Sequence, residues 1–236
     1  MKGPENPQKR RFFPGPSQLV HHPDPDGVVA IDGDLSVPTL LKAYRLGIFP
    51  WPTDVRLHAR GPIVNVLLWF CPPERAILEF RNLQVNRSLA KARRRALETG
   101  ALEFTIDQAF REVMRGCASV PRPGSEGTWI TNEMLEAYGT LFDAGHAHSV
   151  EAWNAAGELV GGVYGVEVDG VFAAESMFHR TDNASKLALV RLMEWLHSRG
   201  IEWIDIQMMT PHLEKLGARS LSRRDYLVLL HRALRK

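Results

Sequence analysis

The alternation of apolar and polar positions changes character along the chain. Residues 13 to 62 are rich in Gly, Pro and Asp and show one short helical pattern, "VPTLLKAYRLG", where Ser36 can cap, Pro38 suits the opening turn and Gly47 stops the helix. "IFPWP" follows, then a continuous apolar run, "PIVNVLLWF", that reads as buried. Pro72-Pro73 cannot sit in a regular element, so the chain is divided there into a small N-terminal α/β domain, 1–73, and a larger domain, 74–236.

The larger part is more regular. A basic helix around "NRSLAKARRRAL" precedes a strand "EFTI", a helix "DQAFREVMRGCA", a Gly/Pro loop "SVPRPGSEG", and a helix capped by Thr131 or Asn132 and ended by Gly145. From residue 146 three strands, "HSVEAW", "ELVGGVYGVEV" and "VFAAESMF", are joined by tight turns, of which Asp169-Gly170 is the strongest hairpin signal. Apolar residues at 188, 189, 192, 195 and 196 form the stripe of a helix from about 184 to 199, after which "EWIDIQM" reads as a strand. The prediction is an α+β fold: an antiparallel sheet with packed helices, in the element order of the GNAT acyltransferase core.

Composition narrows the function more by exclusion than by assertion. The 236 residues are 44% hydrophobic, as in an ordinary globular protein. The first dozen lack an apolar h-region and no later run approaches 18 apolar residues, so a soluble, cytoplasmic protein without a membrane segment is expected. Cys71 and Cys117 lie far apart, which suggests neither a disulfide framework nor a zinc site. The net charge is only +2, yet Arg87, Lys91, Arg94 and Arg95 share one helix face with few acidic neighbours. That face is either simply solvated or a small contact for a phosphate backbone.

The sequence has no G-x-S-x-G, Walker A, G-x-G-x-x-G or H-E-x-x-H, and no cysteine obviously paired with a histidine, which argues against covalent and metal catalysis. The glycine-rich loop that cradles CoA pyrophosphate in a GNAT enzyme is replaced by "HRTDNAS", so an acyl donor other than acetyl-CoA is expected. Glu175, Asp205 and Gln207 converge as polar groups on the sheet, and Lys186, in the first turn of a helix where the dipole disfavours cations, is expected to reach back to a carboxylate.

The stretches "GDLSVPTLLKAYRLGIFPW", "GTWI", "AYGTLFDAGHAHSVEAW", "LVGGVYGV", "ESMFHRTDNASKLAL" and "IDIQ" with "HLEKLGA" resemble, in one order from about residue 27 to 230, the leucyl/phenylalanyl-tRNA–protein transferase family. The resemblance implies an aminoacyltransferase that moves Leu, Phe and less readily Met from aminoacyl-tRNA to the N-terminal Arg or Lys of proteins, creating a degradation signal of the bacterial N-end rule. It implies no cofactor, no metal and a monomer. It also implies a donor side-chain pocket of Val163, Met177, Leu189, Leu192, Leu196 and Ile204; aromatics Trp51, Trp129 and Tyr138 around the aminoacyl-adenosine; tRNA contacts from Arg87, Lys91, Arg94 and Arg95; and a catalytic set of Asp205, Gln207 and Glu175. The chain departs from the family at Ile31-Asp32, at Phe70-Cys71 and in the long loop "SVPRPGSEG". A non-catalytic RNA-binding module and an enzyme building peptide cross-bridges from aminoacyl-tRNA are the alternatives that the residues alone leave open.

Overall fold

The computed structural model describes residues 12–56, 61–119 and 128–234. A short helix α1 (Pro16–Val20) leads to β1 (Val28–Ile31), helix α2 (Val37–Arg45) and strands β2 (Phe49–Arg56) and β3 (Ile63–Phe70). The three strands form an antiparallel sheet in the order β1-β3-β2. Ser36 and Gly47 bracket α2 as expected, Gly47 adopting φ +74°. The apolar run at 62–70 is not buried throughout: β3 has Trp69 fully enclosed, but Ile63 is 56% exposed, because a three-stranded sheet covers only part of each strand.

Next come β4 (Glu74–Glu79), α3 (Arg87–Thr99), β5 (Leu102–Ile106), α4 (Phe110–Ser119), α5 (Asn132–Asp143), β6 (Ala147–Asn154), β7 (Leu159–Val168) and β8 (Val171–His179). The chain ends with α6 (Ala184–Ser198), β9 (Trp203–Gln207), α7 (Pro211–Glu214), β10 (Arg219–Ser222) and α8 (Arg223–Ala233). Seven of these strands make one sheet in the order β10-β4-β9-β8-β7-β6-β5, antiparallel except for the β8–β9 pair. The parallel pair follows from topology, since α6 carries the chain back across the sheet before β9. The three strands, helix and strand expected from residue 146 onward are all present, and the β7–β8 turn has Asp169 and Gly170 at φ +48° and +81°, the signs a type I′ turn requires.

Two apolar clusters sit on the two faces of this sheet. Val163 packs with Leu189, Leu192 and Leu196 of α6, whereas its neighbour Tyr164 packs with Phe110 of α4 and Tyr138 of α5. Adjacent glycines make both approaches close. A Cβ on Gly161 would stand 2.6 Å from the Ala184 side chain, and one on Gly162 would stand 2.9 Å from Val113, so side chains at either position would push a helix away. The cluster around Tyr164 also takes in Leu40, Tyr44 and Phe49 from the N-terminal elements, joining the small sheet to the large one. The loop "SVPRPGSEG" from residue 120 onward lies outside the described residues.

Candidate active site

The parallel pair β8–β9 holds together over only two residue pairs, Phe172 with Ile204 and Ala173 with Asp205. Beyond them each strand is irregular. On β8, Tyr164 pairs with Ser176 and Gly165 with Ala174, so Glu175 is an extra residue without a partner. On β9, Ala76 pairs with Gln207 and Ile77 with Asp205, which leaves Ile206 as the extra residue, and Gln207 takes the left-handed conformation at φ +54°. Bulges re-aim side chains and end pairing. Here they part the strands and open a cavity of about 260 Å³ between them.

The cavity is lined by Val163, Met177, Leu189, Ile206 and Leu213 on its apolar side, by Glu175, Ser176 and Gln207, and by Phe49, Trp51 and Trp129. The rings of Trp51 and Trp129 stack at 5.1 Å and 18°. Of the expected donor pocket, Val163, Met177 and Leu189 line the cavity. Leu192, Leu196 and Ile204 do not: all three are fully buried in the cluster behind it, where the helical stripe serves as core. Trp51 and Trp129 are where an aromatic platform is expected, but Tyr138 is not a stacking surface, because it is entirely buried with its hydroxyl turned to Tyr44 and Glu175.

The two carboxylates are held very differently. Asp205, 2% exposed, forms a bidentate ion pair with Arg75 of β4, Nε to Oδ1 at 2.8 Å and Nη2 to Oδ2 at 2.6 Å. Tyr226 of α8 donates to Oδ2 at 2.8 Å and the backbone N–H of Gln207 to Oδ1 at 3.0 Å. The Arg75 guanidinium lies between the rings of Phe49 and Tyr226, at 4.6 and 4.7 Å from their centroids. Burial opposes its charge, but Asp205 outweighs this and holds the pKa above the ordinary arginine value. Asp205 thus has every acceptor position taken, and it reaches Gln207 through the main chain, pinning the left-handed residue.

Glu175 has no charged partner of its own. Tyr44 of α2 donates to Oε1 at 2.8 Å, Gln207 Nε2 donates to the same atom at 3.1 Å, and Tyr138 approaches Oε2 at 3.4 Å. Burial pushes its pKa up to about 8, the Tyr44 hydrogen bond pulling down and the Asp205 charge pushing up. Lys186, expected to pair with a carboxylate, instead donates to Asn183 Oδ1 at 3.4 Å, since α6 starts beyond the C-terminal end of β8 whereas Glu175 sits in the middle of that strand. Glu175, Asp205 and Gln207 do converge. Arg75, Tyr44 and Tyr226, the side chains that hold the two carboxylates, are marked by no sequence pattern.

The basic residues Arg87, Lys91, Arg94 and Arg95 are exposed on α3, while Arg93 turns to Glu194 of α6 at 2.8 Å. Among the described residues no group of three His, Cys, Asp or Glu side chains is placed to hold a metal, and no helix is long and apolar enough to cross a membrane.

A family model described as leucyl/phenylalanyl-tRNA protein transferase matches residues 77–231, and one described as the N-terminal domain of the same transferase matches residues 33–73. The leucyl/phenylalanyl-tRNA–protein transferase of Thiobacillus denitrificans is 49% identical over 93% of this chain and 88% of its own length. That of Myxococcus xanthus is 45% identical over 95% and 88%. Among solved structures, FemX aligns with a TM-score of 0.47 at 11% identity, covering 85% of this chain and 74% of that one.

Proposed function

Since the chain belongs to the leucyl/phenylalanyl-tRNA protein transferase family, we propose that it transfers leucine or phenylalanine, and less readily methionine, from aminoacyl-tRNA to the α-amine of proteins that begin with Arg or Lys. In this reading it acts as a cytoplasmic monomer, its products are marked for degradation, and its domains meet at residues 73 and 74.

The observation that carries the site assignment is the cavity at the splayed strands: an apolar chamber, a stacked tryptophan pair and a hydrogen-bonded carboxyl–carboxamide pair around one space. An apolar donor side chain fits against Val163, Met177 and Leu189. The terminal adenosine has Trp51 and Trp129 to stack on, worth about 1–3 kcal/mol per base. The exposed basic face of α3 suits the acceptor stem, touching phosphates without reading bases.

An aminoacyl ester is already activated, so catalysis reduces to aligning the amine and moving its proton. The amine nitrogen attacks the ester carbonyl carbon, the bond from that carbon to the ribose oxygen breaks, and the proton lost by nitrogen is taken up by the departing ribose oxygen, which becomes a hydroxyl. Glu175 is the group suited to carry that proton, because its carboxyl faces the cavity with a pKa of about 8 and hence exchanges protons near neutral pH. Gln207 fixes its orientation. Asp205 and Arg75 are positioning residues that hold Gln207. The test is transfer of radiolabelled leucine from charged tRNA to a peptide beginning with Arg, beside the same peptide beginning with Ala. Label in the first alone is the expected result, and label in neither overturns the proposal.

A further inference from the structure

One feature of the sequence is left without a role by this site: the cation in the first turn of α6. Asn183, at the N-cap, has φ +66° and its side chain caps no backbone N–H, and the first turn contains no acidic residue. Lys186 therefore sits where the helix dipole opposes it, without a carboxylate to offset the cost. It is not alone. A second cavity, of about 350 Å³, is lined by Lys186 and Ser185 of α6, His179 at the end of β8, His212 of α7, and Cys117, Met177 and Phe178. Three basic side chains from three elements thus face one space, and among the described residues its lining holds no carboxylate. Ser185 Oγ lies 3.4 Å from His179 Nδ1, which leaves the hydroxyl and the ring within reach of a common ligand. The second cavity adjoins the first, since Met177 lines both.

We propose that this second cavity binds a phosphate group of the 3′ strand of the aminoacyl-tRNA, held by Lys186, His179, His212 and Ser185. The proposal rests on the functional reading above. An anion is the ligand that both accepts from these convergent donors and offsets the unfavourable placement of Lys186. The basic groups already act on one another: burial first, and then Lys186, His179 and Lys215, hold the His212 pKa below its ordinary value, a penalty that a bound anion would relieve. A phosphate there would be a neighbour of the aminoacyl group, one methionine side chain away. The contact supplies affinity without reading a base.

The experiment measures binding of 3′-phenylalanylamino-3′-deoxyadenosine, alone and as the 3′ end of a CCA trinucleotide with two phosphodiesters, and of inorganic phosphate. The proteins are wild type, Lys186→Gln, His212→Gln and Lys186→Arg, each checked for folding by thermal melt. The trinucleotide should bind wild type about tenfold or more tightly than the nucleoside, the gain expected of charge-assisted contacts. That gain should vanish in Lys186→Gln, fall in His212→Gln and largely return in Lys186→Arg, while nucleoside binding stays unchanged in all four. A gain that survives both Gln variants overturns the proposal, as does no gain in wild type. Inorganic phosphate that binds in a Lys186-dependent way without any gain for the trinucleotide also overturns it, assigning the cavity to a free anion. Failure of wild type to bind even the nucleoside would instead strike the functional reading.

Discussion

Glu175 and Asp205 stand on neighbouring strands, both bonded to Gln207, yet they live in opposite surroundings. Asp205 has a guanidinium locked onto both oxygens, a tyrosine hydroxyl and a backbone N–H. Glu175 has two tyrosines and a carboxamide, all neutral. A buried carboxylate compensated by charge stays ionised and serves as a fixed anchor. One compensated only by neutral donors keeps a proton near neutral pH and can exchange it. The difference is why Glu175, and not Asp205, is proposed as the proton carrier. An anchored ion pair spends its charge on holding geometry, and an unpaired carboxyl at the cavity wall keeps its charge state free to change.

The largest effect is expected from breaking the anchor. Asp205→Ala leaves the Arg75 guanidinium buried without a partner, which typically costs about 3–5 kcal/mol. Urea denaturation should show that loss, and transfer should disappear with it as Gln207 is released. A variant that melts like wild type would refute the anchoring role. Glu175→Gln is the converse test. It preserves the shape of a neutral carboxyl and should leave the fold intact while lowering single-turnover transfer by about 10²–10⁴, the usual worth of a proton-transfer group. Binding of aminoacyl-tRNA should change little. Transfer within twofold of wild type would remove Glu175 from the proton path.

The contrast was half legible in the sequence. Glu175 in an apolar strand and the Asp205–Gln207 spacing drew attention because charges in a sheet need partners. Their partners could not be read, since they come from distant segments: Tyr44 is 131 residues from Glu175, and Arg75 is 130 from Asp205. "ERAILE" gives no alternation that marks β4 as a strand between β9 and β10, so Arg75 had no visible address. The bulge at Glu175 and the left-handed Gln207 are also products of pairing, carried by no local turn residue. The helix α6 misled in the other direction. Its stripe is real, but a stripe reports which face is buried and not what buries it, and Leu192 and Leu196 lie in the core cluster rather than on the cavity wall. Lys186 does oppose the dipole, as its position in the first turn implies, but its partner is Asn183 and not a carboxylate.

A third effect follows from proton linkage. The Glu175 pKa is raised from 4.5 to about 8 on folding, so the native state holds a proton that the unfolded chain has released. Stability contributed by the protonated form is fully present below pH 4.5 and is lost as pH rises through about 8. Glu175→Gln cannot release that proton. Wild type should therefore lose stability relative to this variant between those two values, which paired urea melts at several pH values would measure. Parallel profiles would mean that Glu175 is ionised in the native protein at neutral pH.

The smallest change is the most discriminating, because it alters only the poise of Glu175. Tyr44 donates to Oε1 and so favours the carboxylate, pulling the pKa down against burial. In Tyr44→Phe that donor is gone, and a hydrogen bond to a charged group is worth about 1.5–3 kcal/mol. The Glu175 pKa should move up by about one pH unit or more, since one unit corresponds to about 1.4 kcal/mol. If Glu175 accepts the proton of the attacking amine, the rising limb of the pH–rate profile for single-turnover transfer should shift upward by the same amount, with the plateau rate retained at high pH. Asp205 predicts otherwise. Its ion pair is not touched by Tyr44, so if Asp205 were the proton carrier the limb would stay where it is in wild type while the rate fell at every pH.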